Sequence, residues 1–169
     1  MRERILVLDG AMGTMLQSYG LEEADFRGEH CPDHPCDLTG NNDILCLTQP
    51  DIVEAVHHAY YKAGADLVET NTFNATAISQ ADYKTQDLVY EINLNAAHIA
   101  RSVADKFMQK NPEKPRFVCG ALGPTNKTAS ISQNVSNPGY RNTDFDTLAD
   151  AYREQSRGLL DGGVDILLV

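Results

Sequence analysis

The sequence predicts an α/β fold in which parallel strands alternate with helices, as in the first half of a (β/α)8 TIM barrel with about four βα units. Short apolar runs at residues 5–8, 66–69, 116–120 and 165–169 are the expected strands. The long segments between them have helical periodicity, and helical crossovers join parallel strands. Polar and glycine-rich segments directly follow the strands, where barrel enzymes place their sites.

The same alternation is also compatible with a doubly wound open sheet. The barrel is favoured by the polar strand ends and by the length of the chain. A complete barrel needs about 250 residues, and this chain of 169 residues has four strand signals, of which the last runs to Val169. We therefore expect one domain, residues 1–169, that forms the N-terminal portion of a barrel and is incomplete at its C-terminus.

The first strand and the first long helix have clear local signals. Ile5-Leu6-Val7-Leu8 is a continuous apolar run, which is typical of a strand buried on both faces of a parallel sheet. Thr48 is the expected N-cap of the helix, with Pro50 in its first turn. Gly64 is expected to end that helix in a capping position.

Two further helices are expected at residues 87–108 and 147–160, from the spacing of their apolar residues. The helix-to-strand junctions resemble each other, since Gly64-Ala65-Asp66-Leu67-Val68 is similar to Gly163-Val164-Asp165-Ile166-Leu167. Such similarity indicates that one βα unit is used more than once.

Composition and charge exclude several classes of function. The formal net charge is -10, and the 14 Lys and Arg residues are scattered, so we expect no nucleic-acid binding, which requires clustered cations. Apolar runs are too short for a membrane span or a signal peptide, and we expect a cytoplasmic protein. The four cysteines, Cys31, Cys36, Cys46 and Cys119, are expected to be free thiols.

Two strand-end segments are candidate binding sites. The segment 9–14, Asp-Gly-Ala-Met-Gly-Thr, could bring backbone amides close to a ligand carboxylate, with Asp9 accepting from an ammonium group. It could equally be a helix-capping turn. The segment 69–74, Glu-Thr-Asn-Thr-Phe-Asn, could orient an amino-acid ligand. The alternative for this segment is local turn capping by Thr and Asn.

A third segment contains potential metal ligands. His30, Cys31, His34 and Cys36 lie within seven residues, and imidazole and thiolate are the usual ligands of zinc. Two prolines and the absence of a paired C-x2-C knuckle favour a surface loop over a zinc site. His57 and His58 lie in the middle of a predicted helix, where packing or solvent exposure is the expected role.

Five segments resemble the homocysteine-binding region of the cobalamin-dependent methionine synthases. They are Leu8-Asp9-Gly10-Ala11-Met12-Gly13-Thr14, Gly40-Asn41-Asn42-Asp43-Ile44-Leu45, and the segments 64–73, 120–126 and 161–169. The resemblance follows the chain in order from end to end. It implies a homocysteine S-methyltransferase barrel that transfers a methyl group from methylcobalamin to the homocysteine thiol.

The resemblance also implies roles for individual residues. Asp9 matches the carboxylate that receives the substrate ammonium group, and Gly10 matches the turn that binds its carboxylate. Asn71 and Thr72 fall in the strand-end loop that holds the amino-acid part.

In this family a zinc ion held by three cysteines activates the thiol, and methyltetrahydrofolate recharges the cobalamin on other modules of the chain. None of Cys31, Cys36, Cys46 or Cys119 matches a zinc cysteine, and a family glutamate that partners the substrate amine would follow Val169. We therefore expect ligands for neither zinc nor cobalamin here, and no activity from this chain alone.

Two other interpretations stay open at this point. One is a cobalamin-independent homocysteine methyltransferase, although the segments 40–43 and 120–126 favour the cobalamin type. The other is a non-catalytic half-barrel that associates with itself or another chain through an open strand edge.

Overall fold

The computed structural model describes residues 4–169 and contains a parallel sheet of three strands, β1 (Leu67–Glu69), β2 (Phe117–Ala121) and β3 (Ile166–Leu168). Each strand lies beside the next one along the chain, in the order β1-β2-β3. The α-helices are α1 (Met12–Gln17), α2 (Glu23–Arg27), α3 (Leu45–Thr48), α4 (Pro50–Ala63), α5 (Ala77–Gln80), α6 (Val89–Lys110) and α7 (Phe145–Asp161). The mixed α/β fold with a parallel sheet is thus confirmed.

The apolar run that precedes Asp9 lies beside β1 but does not form a regular strand. Leu8 makes a single parallel bridge with Leu67. Ile5 is 89% exposed and Val7 is 57% exposed, so the prediction of a strand buried on both faces was wrong. Such burial needs a layer on either side of the strand, and no element among residues 4–169 covers the outer one.

The helix α4 begins and ends with the expected proline and glycine. Pro50 is its first residue, and Gly64 follows it with a φ of 116°, in the left-handed conformation that favours glycine. Thr48 was wrongly predicted as the N-cap, since Gln49 occupies that position. Thr48 is instead the last residue of α3, and its hydroxyl donates to the carbonyl of Ile44 at 3.4 Å.

The repeated junction has a structural role at the start of two strands. The Asp66 carboxylate accepts from the backbone N–H of Val7 at 2.9 Å, and the Asp165 carboxylate accepts from that of Val118 at 2.7 Å. Each aspartate thereby holds the preceding strand segment in register. Each also pairs with an arginine, Arg4 for the first and Arg101 for the second.

Two apolar clusters connect the helices with the sheet. The larger one joins the first four helices with α6, and the smaller one packs α4 and α6 against β1 and β2. Their buried members include Leu16, Phe26, Leu45, Val53 and Ile92 in the larger cluster and Tyr61, Val68, Val103 and Val118 in the smaller.

The helices α6 and α7 pack closely because a glycine lies at their contact. A Cβ atom at Gly158 would lie 2.8 Å from both the Asn93 Cβ and the Tyr90 carbonyl oxygen. Both helices occur where the sequence predicts them, with ends shifted by one or two residues. Within residues 4–169, no helix is long and apolar enough to cross a membrane.

Candidate functional site

A cavity of about 370 Å³ lies at the carboxyl ends of the strands. Its lining comes from residues 9–13, residues 42–43, residues 69–74 and Ala121. The four residues that the sequence predicts as a site, Asp9, Gly10, Asn71 and Thr72, all line this one cavity. Strand order explains this convergence, because parallel neighbouring strands bring their carboxyl ends to the same edge.

Asp9 is held at the cavity by the neighbouring strand. Its Oδ1 accepts from the backbone N–H of Glu69 at 2.9 Å, and its own N–H donates to the carbonyl of Leu67 at 3.0 Å. Burial raises the pKa of Asp9 to about 7, and the nearby Glu69 carboxylate adds to the rise. Asp9 is therefore a carboxyl group that gains and loses its proton near neutral pH.

The turn after Asp9 presents backbone to the cavity. A Cβ atom at Gly10 would meet no atom within 4 Å, so the missing side chain leaves open space there. Ala11 has a φ of 42° and a ψ of 36°, a left-handed conformation that costs a non-glycine residue about 1–3 kcal/mol. Because no side chain caps the first turn of α1, its amides are free for a ligand.

The hydroxyl groups of Thr70 and Thr72 form three hydrogen bonds with each other and with the backbone of Ala121 in β2. The Thr72 hydroxyl donates to the Ala121 carbonyl at 2.9 Å, and the Ala121 N–H donates to the Thr70 hydroxyl oxygen at 3.0 Å. The Thr70 hydroxyl must then donate to Thr72, over 2.6 Å. Thr72 has no exposed surface, and its hydroxyl proton is used within the protein. Its direct contact with a ligand stays a prediction.

Asn71 has one side-chain atom left for a ligand. Its Nδ2 donates to the Asn42 carbonyl at 2.6 Å and lies 3.7 Å from the Cys46 sulfur. No residue in the described part of the chain donates a hydrogen bond to its Oδ1. The side chain is thus oriented as an acceptor at the cavity wall.

Asp43 lines the cavity and was not predicted as a site residue. It is 3% exposed, and its Oδ1 accepts from the backbone N–H of Asn74 at 3.0 Å. Burial raises its pKa to about 7. Its segment, Asn41-Asn42-Asp43 before an apolar run, does show a cluster of polar side chains, but it follows no strand. Proximity to the strand ends therefore could not be inferred from the pattern.

The segment with potential metal ligands is a hydrogen-bonded loop. His34 Nε2 lies 2.7 Å from the Tyr83 carbonyl oxygen, and the Cys36 thiol donates to the same oxygen at 3.0 Å. Cys31 is buried apart from them, and His30 lies 3.8 Å from a carboxylate oxygen of Glu91. These contacts fit the surface-loop interpretation.

His57 lies in the core, as packing requires. It has no exposed surface, and neither ring nitrogen has a hydrogen-bond partner within residues 4–169. Burial alone lowers its pKa to about 4, so the ring is neutral. His58 is exposed on the same helix.

None of the cysteines belongs to a group of potential metal ligands in the described part of the chain. All four thiols are free, and across residues 4–169 no three His, Cys, Asp or Glu side chains are grouped to hold a metal ion. Burial raises the pKa of Cys46 far above its usual value and that of Cys119 to about 11.

Solved structures of a homocysteine methyltransferase, MmuM from Escherichia coli, have a similar fold. The metallated form is 24% identical, with a TM-score of 0.70, over 98% of this chain and 54% of that one. The apo form is 23% identical, with a TM-score of 0.63, over 98% of this chain and 49% of that one. The chain therefore spans about half the length of that protein.

A family model establishes the relationship at the level of the family. The model of the homocysteine S-methyltransferase family matches residues 6–169. This match confirms the family expected from the five segments, without selecting the cobalamin-dependent type. It includes every residue that lines the cavity. The chain therefore belongs to the homocysteine S-methyltransferase family.

Proposed function

We propose that this chain binds homocysteine for methyl transfer to its thiol, giving methionine. The observation that carries this proposal is the cavity at the strand ends, in which Asp9, Gly10, Asn71 and Thr72 meet in a chain of this family. Eight of its 14 lining residues have polar side chains, and its volume of about 370 Å³ can hold an amino acid.

The lining suits the two charged groups of an amino acid. Asp9 accepts from the substrate ammonium group, and the free amides of residues 10–13 donate to its carboxylate. The lining includes Asp9, Asp43 and Glu69 and contains no Lys, Arg or His. Backbone amides are therefore the available donors for an anionic group.

The metal and the methyl donor have no assigned ligands here. Zinc and methylcobalamin belong to the proposal as properties of the resembling enzymes, and the thiols of this chain do not fit a zinc ion. The role that we propose for the cavity residues is to bind and orient homocysteine, and it involves neither zinc nor cobalamin.

We propose that the fold is the first half of a (β/α)8 barrel. The sequential order of parallel strands, with the segment before Asp9 beside β1, supports a barrel, since a doubly wound sheet reverses its strand order at a switch point. The segments 40–43 and 120–126 favour the cobalamin-dependent type, in which folate and cobalamin modules would be partners. The cobalamin-independent type is the alternative.

Calorimetry with homocysteine tests the function. We expect Asp9→Ala to weaken binding about tenfold or more, because a charge-assisted hydrogen bond contributes about 1.5–3 kcal/mol. Asp37→Ala is the matched control, since the Asp37 side chain is 91% exposed. Equal heats for wild type and Asp9→Ala, or no heat for wild type, would contradict the proposal.

A further inference from the structure

Two buried amide side chains hold the turn of residues 72–75 from outside the cavity. Gln155 in α7 donates from Nε2 to the Thr72 carbonyl at 2.8 Å, and Asn93 in α6 donates from Nδ2 to the Ala75 carbonyl at 2.8 Å. Neither side chain has exposed surface, and neither lines the cavity. The first three residues of the turn do line it. The helices α6 and α7 are therefore connected, through these amides, to the wall of the cavity.

Gln155 also connects the turn with the end of β2. Its Nε2 lies 3.3 Å from the Ala121 carbonyl oxygen, which accepts from the Thr72 hydroxyl at 2.9 Å. Inside the turn, the Ala75 N–H donates to the Thr72 carbonyl at 3.2 Å, at the long end of the usual range of about 2.7–3.2 Å. The shape of the turn therefore depends on donors from other elements as well as on its own backbone.

The oxygens of these two amides have no partner. Gln155 Oε1 and Asn93 Oδ1 are buried without a hydrogen-bond donor in the part of the chain that the structure describes. An unpaired buried acceptor lowers stability, whereas an apolar side chain of the same size would fill the space without that cost. Packing alone therefore does not explain these side chains. Their NH2 groups, which donate to the turn, do explain them.

We propose that Gln155 and Asn93 are positioning residues, which hold the turn 72–75 in the conformation that binds the amino-acid part of homocysteine. This inference rests on the proposed function. Both residues act through the part of the turn that lines the cavity. A turn that is already held in its binding conformation binds a ligand more tightly, because the ligand does not have to order it. The contact between α6 and α7 thereby contributes to ligand affinity as well as to stability.

Gln155→Met tests the inference, because it removes the donor and keeps a side chain of similar length. The Thr72 carbonyl keeps its bond from Ala75, and the Ala121 carbonyl keeps its bond from the Thr72 hydroxyl, so we expect the variant to fold. We expect its homocysteine affinity in calorimetry to fall about three- to tenfold, which corresponds to the net free energy of one hydrogen bond. Wild-type affinity in the folded variant would overturn the inference.

Tyr61→Phe is the matched control. The Tyr61 hydroxyl donates to the Phe117 carbonyl at 2.9 Å, so this change also removes a side-chain donor from a β2 carbonyl, but at the strand end opposite to the cavity. We expect it to lower the midpoint of urea unfolding and to leave homocysteine affinity unchanged. An equal loss of affinity in both variants would show that affinity follows general stability, which would overturn the positioning role.

Amide hydrogen exchange, measured by NMR, tests the turn without any ligand. In Gln155→Met we expect the Ala75 N–H to exchange about three- to tenfold faster than in wild type, because the turn opens more often when it loses a hydrogen bond. Tyr61→Phe should leave this exchange rate unchanged. A folded Gln155→Met in which the Ala75 N–H exchanges as in wild type would also overturn the inference.

Wild type provides the test if Gln155→Met does not fold. The Lys114 N–H donates to the Asn111 carbonyl at 3.1 Å in a turn of mostly exposed residues, and a turn that is held should give the Ala75 amide a much larger protection factor. Similar protection of the two amides would overturn the inference. Absence of homocysteine binding by wild type, in contrast, would contradict the proposed function, and hydrogen exchange would still decide whether the turn is held.

Discussion

At the scale of single residues, the proton equilibrium of Asp9 sets a pH dependence for ligand binding. Its pKa is raised to about 7 by burial, and an ammonium ligand requires the carboxylate form. We expect methionine affinity to increase about tenfold from pH 6 to pH 8, as the carboxyl group ionises. Methionine is the suitable ligand because its thioether sulfur, unlike a thiol, does not titrate. In Asp9→Asn the affinity should be lower and should change less with pH, since Asp43 is then the remaining cavity carboxyl with a pKa near 7. A wild-type affinity that is constant over this range would contradict the assignment.

The buried carboxyl of Asp43 should affect stability with the opposite sign from a salt-bridged carboxylate. Its pKa rises from 3.8 to about 7 on folding, so between these pH values the folded state binds more protons than the unfolded state. The contribution of Asp43 to the free energy of unfolding therefore falls as pH rises from about 4 to 7. We expect urea unfolding to show Asp43→Asn gaining stability relative to wild type between pH 5 and pH 8. The exposed Asp37→Asn should show no such gain.

The sequence predicted part of the cavity lining. The segments 9–14 and 69–74 could be found because each follows a strand signal, and strand ends converge in parallel sheets. Within these segments the family resemblance then selected Asp9, Gly10, Asn71 and Thr72. Asp43 could not be found in this way, because it lies in a 3₁₀ turn at Asn42–Ile44 and is brought to the cavity by packing between distant segments. The sequence also could not show that the Thr72 hydroxyl already donates a hydrogen bond within the protein, because its acceptor, the Ala121 carbonyl, belongs to the distant strand β2.

At the scale of secondary-structure elements, the contact between α6 and α7 depends on Gly158. A methyl group there would collide with backbone and side-chain atoms of α6 at 2.8 Å, and overpacking of this kind costs about 1–3 kcal/mol. We expect Gly158→Ala to lower the free energy of unfolding by this amount in chemical denaturation. Gly139→Ala is the control, because its added Cβ would meet only Asn137 Oδ1, at 3.6 Å. Equal stability of the two variants would show that the helices can separate at little cost.

The two junction aspartates should differ in their contribution to stability. The Asp66 side chain is 2% exposed and that of Asp165 is 33% exposed, and each binds a backbone N–H and an arginine. Loss of Asp66 leaves those groups unpaired in a less hydrated setting, where the penalty is larger. We expect Asp66→Ala to lower the free energy of unfolding more than Asp165→Ala, as measured by urea titration. A larger loss of stability in Asp165→Ala than in Asp66→Ala would contradict the idea that the more buried aspartate contributes more.

The positions of helices and strands could be predicted more accurately than the burial of a strand, for a physical reason. The amphipathic period, Pro50 and Gly64 are local signals, and they mark α4 correctly apart from its N-cap. Burial of the run Ile5–Leu8 depends on neighbours that are distant in sequence, so its apolar character predicted a buried strand where the structure exposes Ile5 and Val7. An apolar run indicates that burial is favourable, but it does not show which other element would bury it.

At the scale of the whole molecule, exposed apolar side chains flank both outer sides of the sheet. Ile5 is 89% exposed beside β1, and Ile166 is 40% exposed in β3. Within residues 4–169 nothing pairs with these two outer edges, and apolar surface next to such edges favours association with another chain. We propose self-association through these edges. Light scattering should show an apparent mass that increases with protein concentration.

Substitution at the edges tests whether they cause the association. We expect the double variant Ile5→Lys and Ile166→Lys to lower the apparent mass to that of a monomer, because charged side chains oppose edge-to-edge pairing. Val135→Lys is the control, since Val135 is 99% exposed in the loop between β2 and α7. A wild type that stays monomeric at every concentration would contradict the proposal. If Val135→Lys lowers the apparent mass and the double variant does not, the contact between chains lies on that loop and not on the strand edges.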